Sequence, residues 1–198
     1  MNYREAVFVK TSVSGSDYPR LLDDQGNPLP EIAVLGRSNV GKSSLLNHLF
    51  QRKGLVKASS KPGKTAALNF FSIENFCAFV DFPGYGFADV PLHVKKQWGP
   101  MVQSYLENRK ELKLVLFLFD IRRTPNEEDL ALVQWLLNEQ VPTILVLTKS
   151  DKLNQSEKHQ NTKKILEAFG FEKFSYLLYS VPKNRGRNTL MKLIEETL

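Results

Sequence analysis

GRSNVGKSS, residues 36–44, stands between a short apolar run, IAVL at 32–35, and a stretch of helical spacing from 42 to 50. Gly36, Gly41, Lys42 and Ser43 fit the spacing G-x-x-x-x-G-K-[ST], and strand, loop and helix follow one another as that pattern requires. Each part has a physical job. Glycines let successive backbone N–H groups turn inward around phosphate oxygens. The first turn of the following helix adds unpaired N–H groups and the positive end of its dipole. Gly36, Arg37, Ser38, Asn39, Val40, Gly41, Lys42, Ser43 and Ser44 together supply this cradle. Lys42 brings a point charge to the terminal phosphates, and the Ser43 hydroxyl suits Mg2+. The motif points to a nucleoside triphosphate without saying which one.

Downstream, DFPGYGF at 81–87 ends an apolar run on a charge and continues with a backbone built to bend. A triphosphate in the glycine loop explains both features. Asp81 delivers a carboxylate toward the Mg2+ shell. Gly84 offers a bare backbone N–H to the γ-phosphate, where a side chain would crowd it. The D-x-P-G spacing fits the D-x-x-G element of GTPases, and loss of the γ-phosphate would release Gly84 and let the segment relax. A threonine is needed to complete the metal site. Thr65, after Gly63 and Lys64 in KPGKTAALNFF at 61–71, has the order and position for it.

TKSD at 148–151 closes another apolar run, TILVLT. Asp151 can accept hydrogen bonds from guanine N1–H and the 2-amino group. Adenine lacks both donors, and leaving a buried acceptor unsatisfied costs about 1–3 kcal/mol, more when it is charged. The Lys149 stem is expected to lie along the base plane. Thr148 stands where many GTPases carry asparagine; a hydroxyl has fewer hydrogen-bonding options, which predicts a looser tether to the glycine loop. At Ser180-Val181, after the run FSYLLY, a backbone N–H is expected to meet guanine O6. Tyr85 follows D-x-x-G where many GTPases have a water-orienting glutamine. A phenol of pKa about 10 is no base at neutral pH. Intrinsic hydrolysis is therefore expected to be slow, with Lys42, Thr65 and Gly84 as the catalytic set and further charge supplied from elsewhere. Tyr85 itself reads as an aromatic that packs on a partner or swings free.

The remaining runs give the fold class. Strands are expected at 68–73 and 76–81, joined as a hairpin by Glu74-Asn75, and at 114–120, 143–148 and 174–180. Helical spacing covers 93–109, the region around 130–137, 156–169, and a closing stretch from about Arg187. Strands alternating with helices predict an α/β, three-layer fold, which the glycine loop, DFPG and TKSD mark as a P-loop GTPase fold. Its sheet would be mostly parallel and six-stranded with one antiparallel strand, helices on both faces, and a pocket at the carboxyl ends of the strands. Residues 1–30 read as an N-terminal extension with at most a short strand at 6–10, and 31–198 as one GTP-binding domain. Residues 51–64, basic and rich in glycine and serine, read as a mobile loop.

Composition excludes several classes. A chain of 198 residues, 42% hydrophobic and 24% charged, can bury a core without staples. The single cysteine, Cys77, lies in an apolar run, which fits a core position and a reducing compartment. The start, MNYREAVFVKTS, has no long apolar segment of a secretory signal. The strongest apolar run, at 114–119, is too short to span a bilayer, so a soluble cytosolic protein is expected. The 27 Lys+Arg exceed the 21 Asp+Glu, giving a net charge of +6. Such a surface attracts RNA, DNA or an anionic membrane face, although a solvated surface with a modest surplus reads the same way. Arg52, Lys53, Lys57, Lys61, Lys64, Lys95, Lys96, Lys183, Arg185 and Arg187 are expected toward the nucleotide edge, where they suit RNA phosphates. No aromatic-rich RNA-reading motif accompanies them.

In order, GRSNVGKSS, PGKT, DFPGYG, TKSD and the Ser180 turn resemble the translation-factor-related GTPases. GRSNVGKSSLLN, KPGKTAALNFF and DFPGYGFA are most similar to the YihA/EngB/YsxC family of ribosome-biogenesis GTP-binding proteins, and the resemblance runs from about residue 31 to the end. It implies GTP and GDP binding with Mg2+ held by Ser43, Thr65 and Asp81. It implies GTP hydrolysis, a role in large ribosomal subunit assembly with contact to ribosomal RNA, and a link to septation. It also implies a monomer in the bacterial cytoplasm, away from membranes. Thr148 is the family's usual residue at its position, whereas Val181 and Pro182 fit the last element less cleanly. The resemblance further suggests K+ beside the phosphates, held by Asn39, as one source of catalytic charge; an arginine from the partner is the other. A GTP-dependent interaction module or scaffold with little hydrolysis is the competing reading. A small-molecule phosphotransferase fits TKSD and DFPG poorly.

Overall fold

The computed structural model of the chain is described over residues 2–57, 67–86, 92–170 and 175–198, with backbone alone for 92–98. The apolar runs form strands. β1 (Val7–Ser12), β2 (Glu31–Gly36), β3 (Leu68–Ile73), β4 (Cys77–Asp81), β5 (Leu112–Asp120), β6 (Thr143–Thr148) and β7 (Tyr176–Leu178) make one sheet in the order β1-β3-β4-β2-β5-β6-β7. β2 and β6 are buried at every residue, as a parallel sheet covered on both faces requires. Among the described residues β3 alone runs against the rest, paired antiparallel with both β1 and β4.

Alternation along the strands divides the core. Ile32 and Val34 of β2 and Leu114, Leu116 and Leu118 of β5 pack with α1 (Lys42–Phe50) and α5 (Arg187–Thr197) through Leu45, Leu49, Phe50, Leu190 and Ile194. Ala33, Leu35, Val115, Phe117 and Phe119 pack on the other face with α2 (Leu92–Asn108), α3 (Glu127–Asn138) and α4 (Gln155–Phe169) through Tyr105, Leu132, Leu136, Ile165 and Phe169. Helices on both faces, the mostly parallel sheet and the hairpin at Asn75 agree with the sequence reading.

The six strands expected within 31–198 are present, and the short run read at 6–10 becomes a seventh at the edge. It covers what would be an open row of β3 N–H and C=O groups. Tyr3 and Ala6 are buried in the same core as α1 and α5. β7 is shorter than the run 174–180. Residue 174 lies outside the described residues, and Ser180 turns away to bridge Arg185. Cys77 is fully buried, and burial pushes its thiol up, as befits a core residue. Among the described residues no helix is long and apolar enough to cross a membrane.

The strand order reverses around β2, which has β4 on one side and β5 on the other. Ligands of open α/β sheets bind in the crevice at such a point, beyond the carboxyl ends of the strands. Gly36, Asp81, Asp120 and Thr148 are the last residues of β2, β4, β5 and β6, so all four open onto that crevice.

Candidate nucleotide-binding site

The loop leaving β2 depends on glycine at two points. Gly36 has φ of 153°, and a Cβ there would meet the Leu118 carbonyl oxygen at 2.6 Å. Gly41 caps α1 at φ of 109°, a left-handed conformation that L side chains rarely adopt. Lys42 opens the helix and folds over the loop, its Nζ 3.4 Å from the Gly36 carbonyl. Burial lowers the Lys42 pKa, and the Asp81 carboxylate partly offsets this. Asp81 is pushed up to about 6 by burial, against the pull of Lys42. Its Oδ1 is buried without a hydrogen-bond partner among the described residues. An ionisable oxygen left without a donor beside a lysine fits the shell of a divalent cation, and half-buried Ser43 supplies a hydroxyl in the first turn of α1. Ser44 is exposed on the same turn.

The segment after β4 docks on the glycine loop. A Cβ on Gly84 would lie 2.8 Å from Ser38 Cα and 2.9 Å from Ser38 N, so the backbones touch. The Ser38 N–H donates to the Tyr85 carbonyl at 2.8 Å, and Arg37 pairs with Tyr85 in a parallel bridge. The Ser38 hydroxyl is buried without a partner among the described residues. Tyr85 neither swings free nor waits for another protein: it is buried, and its hydroxyl donates to Asp129 Oδ1 at 2.8 Å. Burial, then Asp129, pushes the phenol well above its ordinary pKa. The sequence reading failed here because Asp129 lies on a distant helix.

The third segment forms a shelf beside the loop. The Thr148 hydroxyl donates to the Val40 carbonyl at 2.8 Å, with the Phe119 carbonyl at 3.2 Å as a second acceptor. The tether is therefore made by the hydroxyl alone, because its target is a backbone oxygen. Lys149, at φ of 59°, donates to the Asn39 carbonyl at 2.6 Å and lies 3.1 Å from Asp120 Oδ2. Sequence reasoning missed Asp120, although it ends an apolar run on a charge just as Asp81 does. Burial alone would raise its pKa, but hydrogen bonds from Arg122 and Lys149 outweigh burial and hold it at about 2. Asp151 Oδ1 accepts from the Ser180 hydroxyl at 2.8 Å. Against burial, that bond leads the interactions that keep the Asp151 carboxyl below its ordinary range. The Ser180 N–H is taken by the Arg185 carbonyl at 3.1 Å, so it is not free for a base oxygen. Ser180 orients Asp151 instead, and the next N–H, of Val181, makes no hydrogen bond among the described residues.

Gly63, Lys64 and Thr65 lie outside the described residues, as do Lys61 and the side chains of Lys95 and Lys96. Of the remaining basic residues, Lys53, Lys57, Lys183 and Arg185 are exposed. Exposed Arg52 donates to the Arg4 carbonyl. Arg187 does not join them. Its guanidinium caps the end of α1, donating to the His48 carbonyl at 3.1 Å and to the Leu49 carbonyl at 2.8 Å.

Comparison with known proteins agrees with this geometry. The family described as 50S ribosome-binding GTPase matches residues 31–149. The probable GTP-binding protein EngB of Protochlamydia amoebophila (strain UWE25) is 58% identical over 194 residues, covering 98% of this chain and 94% of that protein. Its counterpart in Syntrophotalea carbinolica (strain DSM 2380 / NBRC 103641 / GraBd1) is 43% identical over 198 residues, covering 100% and 93%. Among solved structures, a probable GTP-binding protein engB superposes with a TM-score of 0.68 at 22% identity, over 84% of this chain and 97% of that one. Era, in complex with MgGDPNP and nucleotides 1506-1542 of 16S ribosomal RNA, does so with 0.64 at 23% identity, over 86% of this chain and 57% of that one. The structural likenesses establish the fold. The full-length sequence relatives and the family match over more than half of the chain go further: this chain belongs to the EngB group of the 50S ribosome-binding GTPase family and is a GTP-binding GTPase.

Proposed function

We propose that the chain is a GTP-dependent switch in assembly of the large ribosomal subunit. In this reading it works as a monomer in the bacterial cytoplasm, with Mg2+ beside the nucleotide and slow intrinsic hydrolysis. One observation carries the reading: an Asp81 carboxylate oxygen without a partner among the described residues, Lys42, and Gly84 packed on Ser38 gather at the end of β2, so the segment after Asp81 borders the glycine loop directly. The N–H groups of Asn39 and of residues 41–44 hold the phosphate chain, those of Ser38 and Val40 being bonded to the Tyr85 and Arg37 carbonyls. Ser43 and Asp81, with Thr65 beside Gly63 and Lys64, would hold Mg2+, which would offset phosphate charge. Lys149 flanks the base, Asp151 reads its N1–H and 2-amino edge, and the Val181 N–H meets O6. Thr148 and Ser180 position these groups. Residues 31–198 are the GTP-binding domain, and 1–30 extend it.

In hydrolysis, water adds to the γ-phosphorus as the bond to the bridging oxygen breaks, giving GDP and phosphate. Lys42, the loop amides and the Gly84 N–H stabilise the charge that builds on the phosphate oxygens. The Tyr85 hydroxyl is already given to Asp129, which supports a slow intrinsic rate. Asn39 would hold a K+ ion that adds positive charge beside the phosphates; an arginine of the ribosomal partner would be the other source of that charge. Equal turnover in K+ and Na+ buffers would count against the ion. The exposed Lys53, Lys57, Lys183 and Arg185 support contact with ribosomal RNA. The test is co-sedimentation with ribosomal subunits in GDP and in a non-hydrolysable GTP analogue at two salt concentrations, alongside GTP turnover with and without subunits. The large subunit should retain the chain in the analogue only, less so at high salt, and should raise turnover. Retention independent of nucleotide, or self-association on GTP without faster turnover, would favour the scaffold reading.

A further inference from the structure

Asp129 is fully buried on α3, far along the chain from both the glycine loop and Gly84. A buried carboxylate is unfavourable unless its oxygens are paired, and here both are. Oδ1 accepts from the Tyr85 hydroxyl at 2.8 Å. Oδ2 accepts from Arg37 Nη1 at 3.3 Å and from the Asn126 N–H at 3.0 Å. The Asn126 bond closes the capping box of α3. A helix cap needs no more than that bond, so the other two contacts ask for another explanation. Arg37 is the second residue of the glycine loop, and Tyr85 directly follows Gly84. The two are bridge partners, and the Ser38 N–H is bonded to the Tyr85 carbonyl. On the far side Gly86, at φ of 73°, lies so close to Arg37 that a Cβ would come within 2.9 Å of its guanidinium. One carboxylate on α3 thus ties down the residue after Gly84 and the residue before Ser38, the backbone that Gly84 touches.

We propose that Asp129 is a positioning residue for recognition of the terminal phosphate: by holding Tyr85 and Arg37 together it keeps Gly84 seated against the glycine loop. The inference rests on Gly84 being the γ-phosphate contact. With the lock intact, a triphosphate finds Gly84 already placed. Without it, binding must also order the segment, which weakens affinity. A diphosphate does not reach Gly84 and is indifferent to the lock. Tyr85, which cannot orient water, serves as the anchor that ties the segment to α3.

The test is calorimetry on the full chain in Mg2+, with GDP and with a non-hydrolysable GTP analogue. Tyr85→Phe removes one hydroxyl and keeps the ring. It should weaken the analogue about tenfold, the scale of one hydrogen bond to a charged group, and leave GDP within about twofold. Asp129→Ala should give the same split, its GDP affinity reporting an intact fold, and the double variant should be no worse than either single one. Equal losses for both nucleotides, no loss for either, or losses that multiply in the double variant overturn the inference. Gly84→Ala separates it from the reading beneath, since its Cβ must collide with Ser38. If Gly84→Ala leaves the analogue bound, the γ-phosphate reading fails and this inference with it. If Gly84→Ala weakens the analogue and Tyr85→Phe does not, the Asp129 inference alone fails.

Discussion

Asp81 and Asp120 both end apolar strands on a charge, yet their surroundings drive them in opposite directions. Asp81 is buried with one oxygen unpartnered among the described residues and is raised to about 6. Asp120 is buried too, but Arg122 and Lys149 hold it at about 2. A carboxyl whose folded pKa lies below its unfolded value stabilises the fold at pH above about 4, and that contribution is lost as pH falls through about 2. For Asp120 the shift corresponds to about 2 kcal/mol at neutral pH. Urea unfolding should therefore find Asp120→Asn less stable than the parent chain by roughly that amount at pH 7, with the two curves converging toward pH 2. Parallel curves across the acid range would show that the ion pairs of Asp120 contribute nothing. Asp81 was legible in the sequence because Pro83 and Gly84 follow it. Asp120 was not, because Ile121 and Arg122 carry no such punctuation and Lys149 belongs to another strand. Asp129 was hidden for a related reason: Asn126-x-x-Asp129 reads as a helix cap and is one, so nothing local reveals that the same carboxylate also holds Tyr85.

Element boundaries were legible where the chain carries its own stops. Lys42–Phe50, Leu68–Ile73 and Thr143–Thr148 fall where the sequence put them. Gly41 precedes the first, and Pro142, which cannot extend a ladder backward through its own N–H, precedes the last. α3 begins at Glu127, earlier than its apolar spacing implied, because the Asn126 capping box extends it by nearly a turn. What the sequence left open is which charges serve an element and which serve a partner. Arg187 looked like part of the basic surface, but it closes the last carbonyls of α1, where a cation also favours the helix dipole. Arg187→Ala should therefore lower stability by about 1–2 kcal/mol and leave unchanged the salt dependence of the binding to ribosomal subunits proposed above. Replacing exposed Lys183 and Arg185 with alanine should do the reverse, flattening the salt dependence by up to about two phosphate contacts with little change in unfolding. A flattened salt dependence in Arg187→Ala, with unfolding unaltered, would return Arg187 to the residues proposed to face RNA.

At the scale of the molecule, the alternation of strands and helices foretold the layers, but not how the first thirty residues join them. β1 shows exposed Val7 and Phe8, so its pattern resembles loose surface chain until its partner β3 is known. Tyr3 lies under the sheet, packed with Phe79 at 6.3 Å between ring centroids and buried among residues of α1 and α5. That placement ties the chain's start to the face opposite α2, α3 and α4, and to the far end of the helix that begins at the phosphate loop. The Tyr3 ring and hydroxyl then pull against each other. The ring fills core volume, so Tyr3→Ala should lower stability by about 3–5 kcal/mol. The hydroxyl is buried with no hydrogen-bond partner among the described residues, and such a group opposes folding. Tyr3→Phe should consequently be as stable as the parent chain or more stable by up to about 1 kcal/mol, with GTP affinity unchanged in both variants under folded conditions. Thermal and chemical unfolding of the two variants read this directly. An alanine variant that unfolds no earlier than the parent would mean that residues 2–6 are not part of the core. A phenylalanine variant that unfolds markedly earlier would mean that the hydroxyl has an acceptor, which makes the start of the chain a hydrogen-bonded anchor rather than a packed one.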